Sequence, residues 1–454
     1  MPRLGPRIVV AGTHSGVGKT TVATGLMAAL RAGGHKVGAA KVGPDFIDPA
    51  YHKVATGRPS RSLDEFLSGR ELLASLAAKA AEGCDLLVVE GVMGMFDGSS
   101  MPGCDGSTAA VARAIGAPVL LVVDAAAMSG SVAALVHGFA TFDPAVRLGG
   151  VILNNLGSQG HATLLREALA PLGVPVLGAI LRDDELSWRD RYLGLVPVAE
   201  QPATVAASVR RLGEAVASSV DLGAVVALAA SAEALCPADP PMARRVGRCR
   251  LAVCAGPAFS FNYEENLELF EQAGAELAFF DPTEESQLPA GVGALYCGGG
   301  FPEIFAEALS CNEPLLSAVG SAVREGLPTW AECGGYMWLA DSIDGRPMAG
   351  AIADTTVAMS ERLALGYRTA TTRAACFLGP PGLVLRGHEY HRSVAEPAGD
   401  GLELEGRFGR QRAGHVAPNL FASYLHQHLS ATPVLAERFV AAAAAYLAGR
   451  GGLA

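Results

Sequence analysis

The sequence predicts two α/β domains, each built on a parallel sheet with flanking helices. Its 454 residues exceed what one hydrophobic core usually supports, so two domains are the starting expectation. Short apolar segments alternate with amphipathic or Ala-rich segments, which is the pattern of βαβ units. Half of the residues are hydrophobic, 6% are aromatic and 55 are glycine, and this composition suits the tight turns and close helix packing of layered α/β structure.

In the first half of the chain, the apolar segments lack alternating polar residues. This pattern is expected of parallel strands that are covered by helices on both faces. The predicted strands lie at 7–11, 37–41, 86–90, 119–124 and 151–154.

The segment 236–248 interrupts this alternation. Its sequence, CPADPPMARRVGR, contains three prolines and three arginines, and a new strand is predicted directly after it at 251–254. We therefore predict a first domain over 1–236, a linker over 237–248 and a second domain over 249–454. Further elements of the second domain are predicted as strands at 276–279, 294–297 and 327–331, a β-rich segment after 353 and a helix over 434–447.

Charge and cysteine content exclude several classes of protein. A net charge of -10 at pH 7 argues against a nucleic-acid partner, which requires a basic face. The nine cysteines show neither CxxC nor Cys/His spacing, so no disulfide framework or zinc site is predicted.

The N-terminus lacks a secretory segment, and the apolar run 117–123 is shorter than the roughly 20 residues that span a bilayer. We expect a soluble, cytoplasmic protein without membrane partners.

The first chemical motif is AGTHSGVGKTT, at 11–21, between an apolar strand and a helix. Glycines in such a turn let backbone amides face a phosphate at the helix N-terminus. Lys19 would reach the outer phosphates, and the hydroxyl of Thr20 would bind Mg²⁺. Gly12 lies one position earlier than the standard spacing, so the loop is a variant; the alternative is an ordinary strand-to-helix turn. The predicted ATP-binding residues are Gly16, Val17, Gly18, Lys19, Thr20 and Thr21.

Acidic residues follow the predicted strand ends of this half. Glu90 ends a buried strand and would reach the carboxyl edge of the sheet, where open α/β sheets bind ligands. Asp45 and Asp48 follow another strand end and would hold metal or substrate, and Asp97 lies in a similar position; the alternative for each aspartate is a turn-capping role. We predict Mg²⁺ at Thr20, Asp45 and Glu90, with Asp48 and Asp97 assigned to substrate.

The second motif is AECGG, at 331–335, where a predicted strand runs into a helix. Glycines directly after Cys333 permit a sharp turn, and the helix N-terminus is expected to lower the pKa of the thiol. The amide of Gly334 would then donate to an oxyanion, and Gly299 or Gly300, in the upstream CGGGFPE segment, would supply a second donor. The alternative for Cys333 is a small buried apolar residue.

A cysteine nucleophile needs a base, and we predict His426, in SYLHQH. A glutamate two residues later would complete a Cys-His-Glu triad, but that position is His428, so a dyad and a carboxylate from elsewhere both stay open. The histidines His388 and His391 form a second cluster, which we interpret as an orienting or ligand-binding segment. A metal site there lacks a third ligand at matching spacing.

Seven motifs occur in the order GTHSGVGKT, KVGPDFIDP, VVEGVMGMFDG, CGGGFPE, AECGG, RGHEYHRS and SYLHQH. With them the chain resembles the cobyrinic acid a,c-diamide synthase family over nearly its full length. The first half is similar to dethiobiotin synthetase, which shares the shifted loop. The resemblance implies an N-terminal P-loop-type domain and a C-terminal domain like the class I glutamine amidotransferases.

The resemblance implies a ligase that converts the a and c acetate groups of a corrinoid to amides, using two glutamines and two ATP. Cys333 and His426 would release ammonia through a glutamyl thioester, and ammonia would displace phosphate from an acyl phosphate formed with MgATP. Lys41 and Arg191 would bind carboxylates of the substrate. Where the family often has His and Asp, this chain has Tyr192 and Gly256. A homodimer is one expectation for the assembly.

Other activities stay open. Within the family, the substrate would be metal-free hydrogenobyrinate or cobalt-containing cobyrinate. The composition is rich in Ala, Gly and Arg, which suggests a GC-rich genome. The metal-free route is common in such genomes, and this weakly favours hydrogenobyrinate. Cobyric acid synthase and nickel-sirohydrochlorin a,c-diamide synthase act on other tetrapyrrole acids. A partition-type ATPase, from a different class, would use nucleotide as a switch, but it would need no AECGG turn and would carry a lysine near the start of its loop.

Overall fold

The computed structural model describes residues 4–45, 47–99, 104–183, 198 and 201–451. The chain divides into two compact units, Met1–Pro240 and Pro241–Ala454. Each unit has its own sheet, helices and apolar core, which confirms the prediction of two α/β domains.

The first unit is built on a sheet of buried strands. They are β1 (Arg7–Gly12), β2 (Val37–Val42), β3 (Ser60–Leu63), β4 (Leu86–Glu90), β5 (Val119–Asp124), β6 (Leu148–Leu156) and β7 (Val176–Leu181). Over the described residues their order is β3-β2-β4-β1-β5-β6-β7, and every pairing is parallel. The carboxyl ends of β1, β2 and β4 therefore lie side by side at one edge, where open α/β sheets bind ligands.

Helices lie on both faces of this sheet. They are α1 (Lys19–Ala32), α2 (Ile47–Thr56), α3 (Glu65–Ser68), α4 (Leu73–Ala80), α5 (Thr108–Ala114), α6 (Ser131–Thr141), α7 (Gln159–Leu169), α8 (Pro202–Ser219) and α9 (Leu222–Ala230). Helices α4 to α7 bury apolar side chains against alternate residues of β1, β4 and β5. On α1, a Cβ at Gly25 would lie 2.6 Å from a methyl of Val216 on α8, so this glycine allows the two helices to approach closely.

A buried arginine ties distant parts of the first unit together. Arg7 begins β1, is fully buried, and its guanidinium donates only to backbone carbonyls among its described partners. Burial lowers its pKa to about 10. The acceptors are the carbonyl oxygens of Ile115 at 2.5 Å, Glu233 at 2.6 Å, Gly5 at 2.7 Å, Gly116 at 3.1 Å and Leu4 at 3.2 Å.

Substitution of Arg7 by methionine should destabilise the first unit by about 3–4 kcal/mol, because it leaves several buried carbonyl oxygens without a donor. Urea unfolding of the full chain, followed by far-UV circular dichroism, measures the change. Arg210→Met, which removes an exposed arginine of α8, should change the free energy of unfolding by less than about 0.5 kcal/mol. Equal effects of the two substitutions would contradict the anchoring role.

The second unit contains two sheets. Its strands are β8 (Cys249–Cys254), β9 (Ala275–Phe280), β10 (Val292–Cys297), β11 (Thr329–Glu332), β12 (Ser342–Ile343), β13 (Arg346–Pro347), β14 (Thr356–Thr372), β15 (Val384–Glu396), β16 (Leu402–Gly406), β17 (Gly409–Ala413), β18 (His415–Ala417) and β19 (Leu420–Ser423). The first sheet has the order β18-β19-β11-β10-β8-β9, and only the β18–β19 pairing in it is antiparallel. The second has the order β13-β12-β14-β16-β17, with β15 paired to β14.

The helices of this unit are α10 (Glu264–Ala273), α11 (Ala306–Cys311), α12 (Glu313–Arg324), α13 (Gly334–Leu339) and α14 (Val434–Gly451). Strand β11 separates two apolar layers: Trp330 packs against aromatic rings of α10 and α14, and Ala331 packs on the opposite side. Because side chains alternate along a strand, Glu332 projects to the same side as Trp330. Within the described ranges, no helix has both the length and the apolar character needed to cross a bilayer.

Candidate functional site

The glycine loop at 11–21 joins β1 to α1, as predicted. Gly16 and Gly18 have φ angles of 85° and 92°, in the left-handed region that favours glycine. Asn154, at the end of β6, donates to the carbonyl oxygen of Val17 at 2.9 Å and so holds the loop from the neighbouring strand. Its contribution was missed at the sequence level because it depends on which strands are adjacent.

Lys19 is the first residue of α1, and its side chain lies in the fold of the loop. Its Nζ donates to the carbonyl oxygen of His14 at 3.2 Å. Burial, followed by the nearby charge of Lys41, lowers its pKa to about 8, although Glu90 and Asp48 partly offset the shift. The loop therefore holds a largely buried cation next to a preformed set of glycine amides, which is the arrangement that binds polyphosphate.

Glu90 lies at the centre of a buried network beside this loop. It is fully buried. Its Oε1 accepts from Thr20 Oγ1 at 2.7 Å and from Lys41 Nζ at 2.9 Å, and its Oε2 lies 2.6 Å from His52 Nε2. Burial alone would raise the pKa of Glu90, but Lys41 and the hydrogen bonds from His52 and Thr20 outweigh it and hold the pKa well below its usual value. Glu90 therefore stays ionised and fixes the hydroxyl of Thr20.

Lys41 and Asp48, both predicted to contact substrate, are paired with each other in the ligand-free structure. Lys41 is 3% exposed, and its Nζ contacts Asp48 Oδ2 at 2.7 Å, Glu90 Oε1 at 2.9 Å and the carbonyl oxygen of Gly91 at 2.9 Å. Burial would lower its pKa, but Asp48 and Glu90 outweigh burial and hold it above the usual range. Lys41 thus neutralises two carboxylates of its own unit in the ligand-free protein, and the substrate roles of Lys41 and Asp48 stay predictions.

The other predicted residues of this half lie in three situations. Asp45 caps α2, because its Oδ1 accepts from the backbone N–H groups of Ile47 at 2.8 Å and Asp48 at 3.3 Å. Asp97 accepts from the N–H of Gly94 at 2.8 Å, which is a loop-capping contact. Arg191 and Tyr192 lie outside the described residues.

The oxygen atoms of this site fit a hard cation that takes most of its ligands from phosphate and water. Among the described residues, no three His, Cys, Asp or Glu side chains are placed to hold a metal by themselves. The hydroxyl of Thr20 and a nearby carboxylate are the one or two protein ligands that Mg²⁺ usually takes when it is bound with a nucleotide.

His52, which contacts Glu90, was missed by the sequence analysis. It lies one helical turn after Asp48 on α2, and that spacing could have indicated it.

Cys333 occupies a sharp turn between β11 and α13. Its φ of 46° and ψ of -101° are strained for a residue with a side chain, as expected at a nucleophile elbow. Its N–H donates to the carbonyl oxygen of Ser423 at 2.8 Å, which ties the turn to β19. A Cβ at Gly334 would lie 2.9 Å from the nitrogen of Gly300, so glycine is required for the turn to pack against the loop 298–300.

The three predicted oxyanion donors have different surroundings in the ligand-free structure. The N–H of Gly299 donates to the carbonyl oxygen of Phe261 at 2.9 Å, so it is already engaged in a backbone bridge. Gly300 and Gly334 approach each other at the turn, and the amide of Gly334 also lowers the pKa of the Cys333 thiol. The oxyanion role stays a prediction for all three glycines, and Gly299 would have to release the carbonyl oxygen of Phe261 to take part.

The expected low pKa of Cys333 is wrong for the ligand-free site. Burial and the nearby carboxyl groups of Glu303, Glu389 and Glu332 raise its pKa, and the amide of Gly334 offsets this only in part. The thiol is 4% exposed, and α13 has only six residues. Desolvation therefore outweighs the helix N-terminus, and the thiol of Cys333 is protonated in the ligand-free protein.

His426 follows β19, the strand paired with β11 in the register Glu332↔Ser423. Its Nδ1 lies 3.9 Å from Glu332 Oε2, and its ring stacks on His388 with centroids 4.8 Å apart. Burial, then His388 and His391, lower its pKa well below the usual value. The ring is therefore neutral at rest, which is the state in which an imidazole accepts a proton.

The remaining histidines have local partners. His388 Nε2 lies 3.0 Å from the hydroxyl of Tyr263, and His428 Nε2 lies 3.5 Å from Glu265 Oε2 on α10. His391 stacks on Tyr424 with centroids 3.6 Å apart. The orienting or ligand-binding role of the segment that holds His388 and His391 stays a prediction. At Gly256, a Cβ would collide with the carboxylate of Asp281.

Known proteins match each of the two domains separately and also match the chain over nearly its full length. Residues 8–193 match the CobQ/CobB/MinD/ParA nucleotide binding domain, and residues 250–434 match the CobB/CobQ-like glutamine amidotransferase domain. Hydrogenobyrinate a,c-diamide synthase of Streptomyces coelicolor is 46% identical, over 96% of this chain and 97% of its own. The enzyme of the same name from Mycobacterium tuberculosis H37Rv is 45% identical, over 96% and 98%. Cobyrinate a,c-diamide synthase of a Synechococcus species is 39% identical, over 96% and 98%.

These relatives span the full length of the chain, and both of its domains match those expected from its motifs. The chain therefore belongs to the family of hydrogenobyrinate and cobyrinate a,c-diamide synthases.

Proposed function

We propose that the protein amidates the a and c acetate carboxylates of hydrogenobyrinate, using ATP and glutamine-derived ammonia, in cobalamin biosynthesis. The observation that carries this proposal is the pairing of a nucleotide loop and a cysteine elbow in a chain that matches such synthases end to end. Relatives named for hydrogenobyrinate are 45–46% identical, and those named for cobyrinate are 38–41% identical, which favours the metal-free substrate.

In the second unit, the sulfur of Cys333 would attack the amide carbon of glutamine while its proton passes to His426. Negative charge that develops on the amide oxygen would be stabilised by the N–H groups of Gly334 and Gly300. His426 then protonates the departing nitrogen, ammonia leaves, and water hydrolyses the thioester to glutamate.

In the first unit, a substrate carboxylate would attack the γ-phosphate of ATP, release ADP and become an acyl phosphate, which ammonia then converts to the amide with loss of phosphate. The step is needed because a carboxylate is a poor electrophile at neutral pH. Lys19 and the glycine amides would stabilise the charge on the transferring phosphoryl group. Mg²⁺, held by Thr20 and Asp45 with the nucleotide phosphates, would supply further charge neutralisation. Glu90, the third predicted Mg²⁺ ligand, already accepts from Thr20 and Lys41 and lies 2.6 Å from His52; it would keep the Thr20 hydroxyl in position.

The test is incubation of the full chain with hydrogenobyrinic acid, glutamine and MgATP, followed by mass spectrometry of the corrinoid. We expect two successive losses of about one mass unit, as each carboxyl OH becomes NH₂ through the ammonia released at the thioester step. Amidation of cobyrinic acid but not of hydrogenobyrinic acid would move the assignment to the cobalt-containing substrate. ATP hydrolysis that is independent of glutamine and of any corrinoid would contradict the proposal in favour of a nucleotide switch.

A further inference from the structure

The glutaminase site lacks the carboxylate that usually follows the histidine of such enzymes by two residues. That position is His428, and its Nε2 faces Glu265 on α10 at 3.5 Å. A histidine that acts as a base through one ring nitrogen needs its other nitrogen held by an acceptor, because that contact fixes the tautomer and the ring orientation. A carboxylate that holds His426 would therefore come from another part of the unit.

Glu332 is placed to do this. It is the last residue of β11, directly before Cys333, and is 2% exposed. Its Oε2 lies 3.9 Å from His426 Nδ1 and 3.5 Å from the hydroxyl of Tyr296. Because side chains alternate along a strand, Glu332 projects to the same side of β11 as Trp330, which packs in the aromatic layer. The carboxylate that lies near His426 thus belongs to β11, the strand that Cys333 directly follows.

The distance of 3.9 Å is longer than a hydrogen bond. Hydrogen bonds between catalytic groups are often long in the ligand-free enzyme and shorten when substrate binds. A movement of less than an ångström would bring Nδ1 and Oε2 within range, about the scale of a side-chain adjustment on binding.

The chemistry of the step requires a counter-charge. When Cys333 forms its bond to the glutamine carbon, its proton moves to His426 and creates an imidazolium in a fully buried site, beside His388 and His391. Burial and these two neighbours disfavour that cation. Burial raises the pKa of Glu332 to about 8, with the backbone amide of Gln427 and the Tyr296 hydroxyl opposing the shift. A positive imidazolium next to it would stabilise its ionised form.

We infer that Glu332 is the positioning carboxylate of His426, so that the nucleophile and the third member of the triad are consecutive residues. This inference rests on the proposed glutaminase role of Cys333 and His426, and it does not depend on which corrinoid is amidated. Two other carboxylates of this region have different partners: Glu389 pairs with Arg368 at 2.7 Å, and Glu265 faces His428 at 3.5 Å.

The test uses full-length Glu332→Gln, Glu332→Asp and Glu265→Gln proteins, assayed for glutamate release from glutamine and for ammonia-dependent amidation. We expect Glu332→Gln to lower kcat for glutamine hydrolysis by about 10²- to 10⁴-fold, as loss of a triad acid does, with a much smaller change in KM. Ammonia-dependent amidation should be retained. Glu332→Asp should recover part of the activity, and Glu265→Gln should stay close to wild type.

A pH profile separates positioning from a structural role. Without the carboxylate, the imidazolium loses stabilisation, so the acidic limb of kcat/KM should move to lower pH in Glu332→Gln. Glutamine hydrolysis within about threefold of wild type in that variant, or an unshifted acidic limb, would overturn the inference. Loss of activity in Glu265→Gln instead would assign the role to the Glu265–His428 pair. Failure of Cys333→Ala to lose glutaminase activity would contradict the proposed function itself.

Discussion

Substitution of Cys333 by alanine should abolish glutamine-dependent amidation and leave ammonia-dependent amidation intact. The variant lacks the sulfur that attacks the amide, and glutamine hydrolysis should fall by at least about 10³-fold, since removal of a nucleophile costs more than any supporting group. The synthetase chemistry belongs to a unit with its own sheet and core, so it should continue when ammonium salt replaces glutamine. Corrinoid mass and glutamate release, measured in parallel, give both quantities.

Cys249→Ala is the matched control. Cys249 is also a buried cysteine of the second unit, at the start of β8 rather than at the turn. It should retain both activities. If Cys333→Ala lost ammonia-dependent amidation to the same extent as glutamine-dependent amidation, the division of roles between the two units would be wrong.

Substitution of Lys19 by methionine should remove amidation with either nitrogen source, by about 10²- to 10³-fold, because the transferring phosphoryl group loses a fixed positive charge. Glutamine hydrolysis measured without ATP should not change. Lys53→Met, which removes an exposed lysine of α2, should leave amidation unaltered. Normal amidation by Lys19→Met would show that the loop does not act on phosphate.

Lys19 also gives ATP binding a pH dependence. Burial and Lys41 lower the pKa of Lys19 to about 8 in the ligand-free protein, and polyphosphate favours the protonated amine. Below pH 8, the amine is already charged, whereas above it ATP binding must take up a proton, so affinity should fall by up to about tenfold per pH unit. Calorimetry in buffers of different ionisation enthalpy should show uptake of about one proton at pH 9. This uptake should be lost in Lys19→Met.

Local sequence was enough to predict the two turns that carry the chemistry. Each turn has glycines, with a strand before them and a helix after them, all within about a dozen residues. The residues that determine the backbone path are therefore close together in the sequence. The positions of Lys19 and Cys333 followed from this. The two-domain α/β fold followed in the same way, from the period of apolar residues along each segment.

Contacts between strands could not be predicted in the same way. The engagement of Lys41 with Asp48 and Glu90, and of Asn154 with the glycine loop, depends on the strand order β2-β4-β1-β5-β6, which no local pattern states. The bridge from Gly299 to Phe261 likewise joins residues 38 positions apart. The raised pKa of Cys333 depends on how completely the folded chain removes water, and this outweighs the helix terminus visible in the sequence.

The burial of Cys333 also affects the rate at which its sulfur reacts with oxidants and alkylating reagents. Peroxides and alkylating reagents react with the thiolate and only slowly with the thiol. A nucleophile that stays protonated, and is 4% exposed until glutamine enters, offers these reagents little of the reactive form. The same desolvation that makes the resting site a poor nucleophile therefore gives it chemical durability between turnovers.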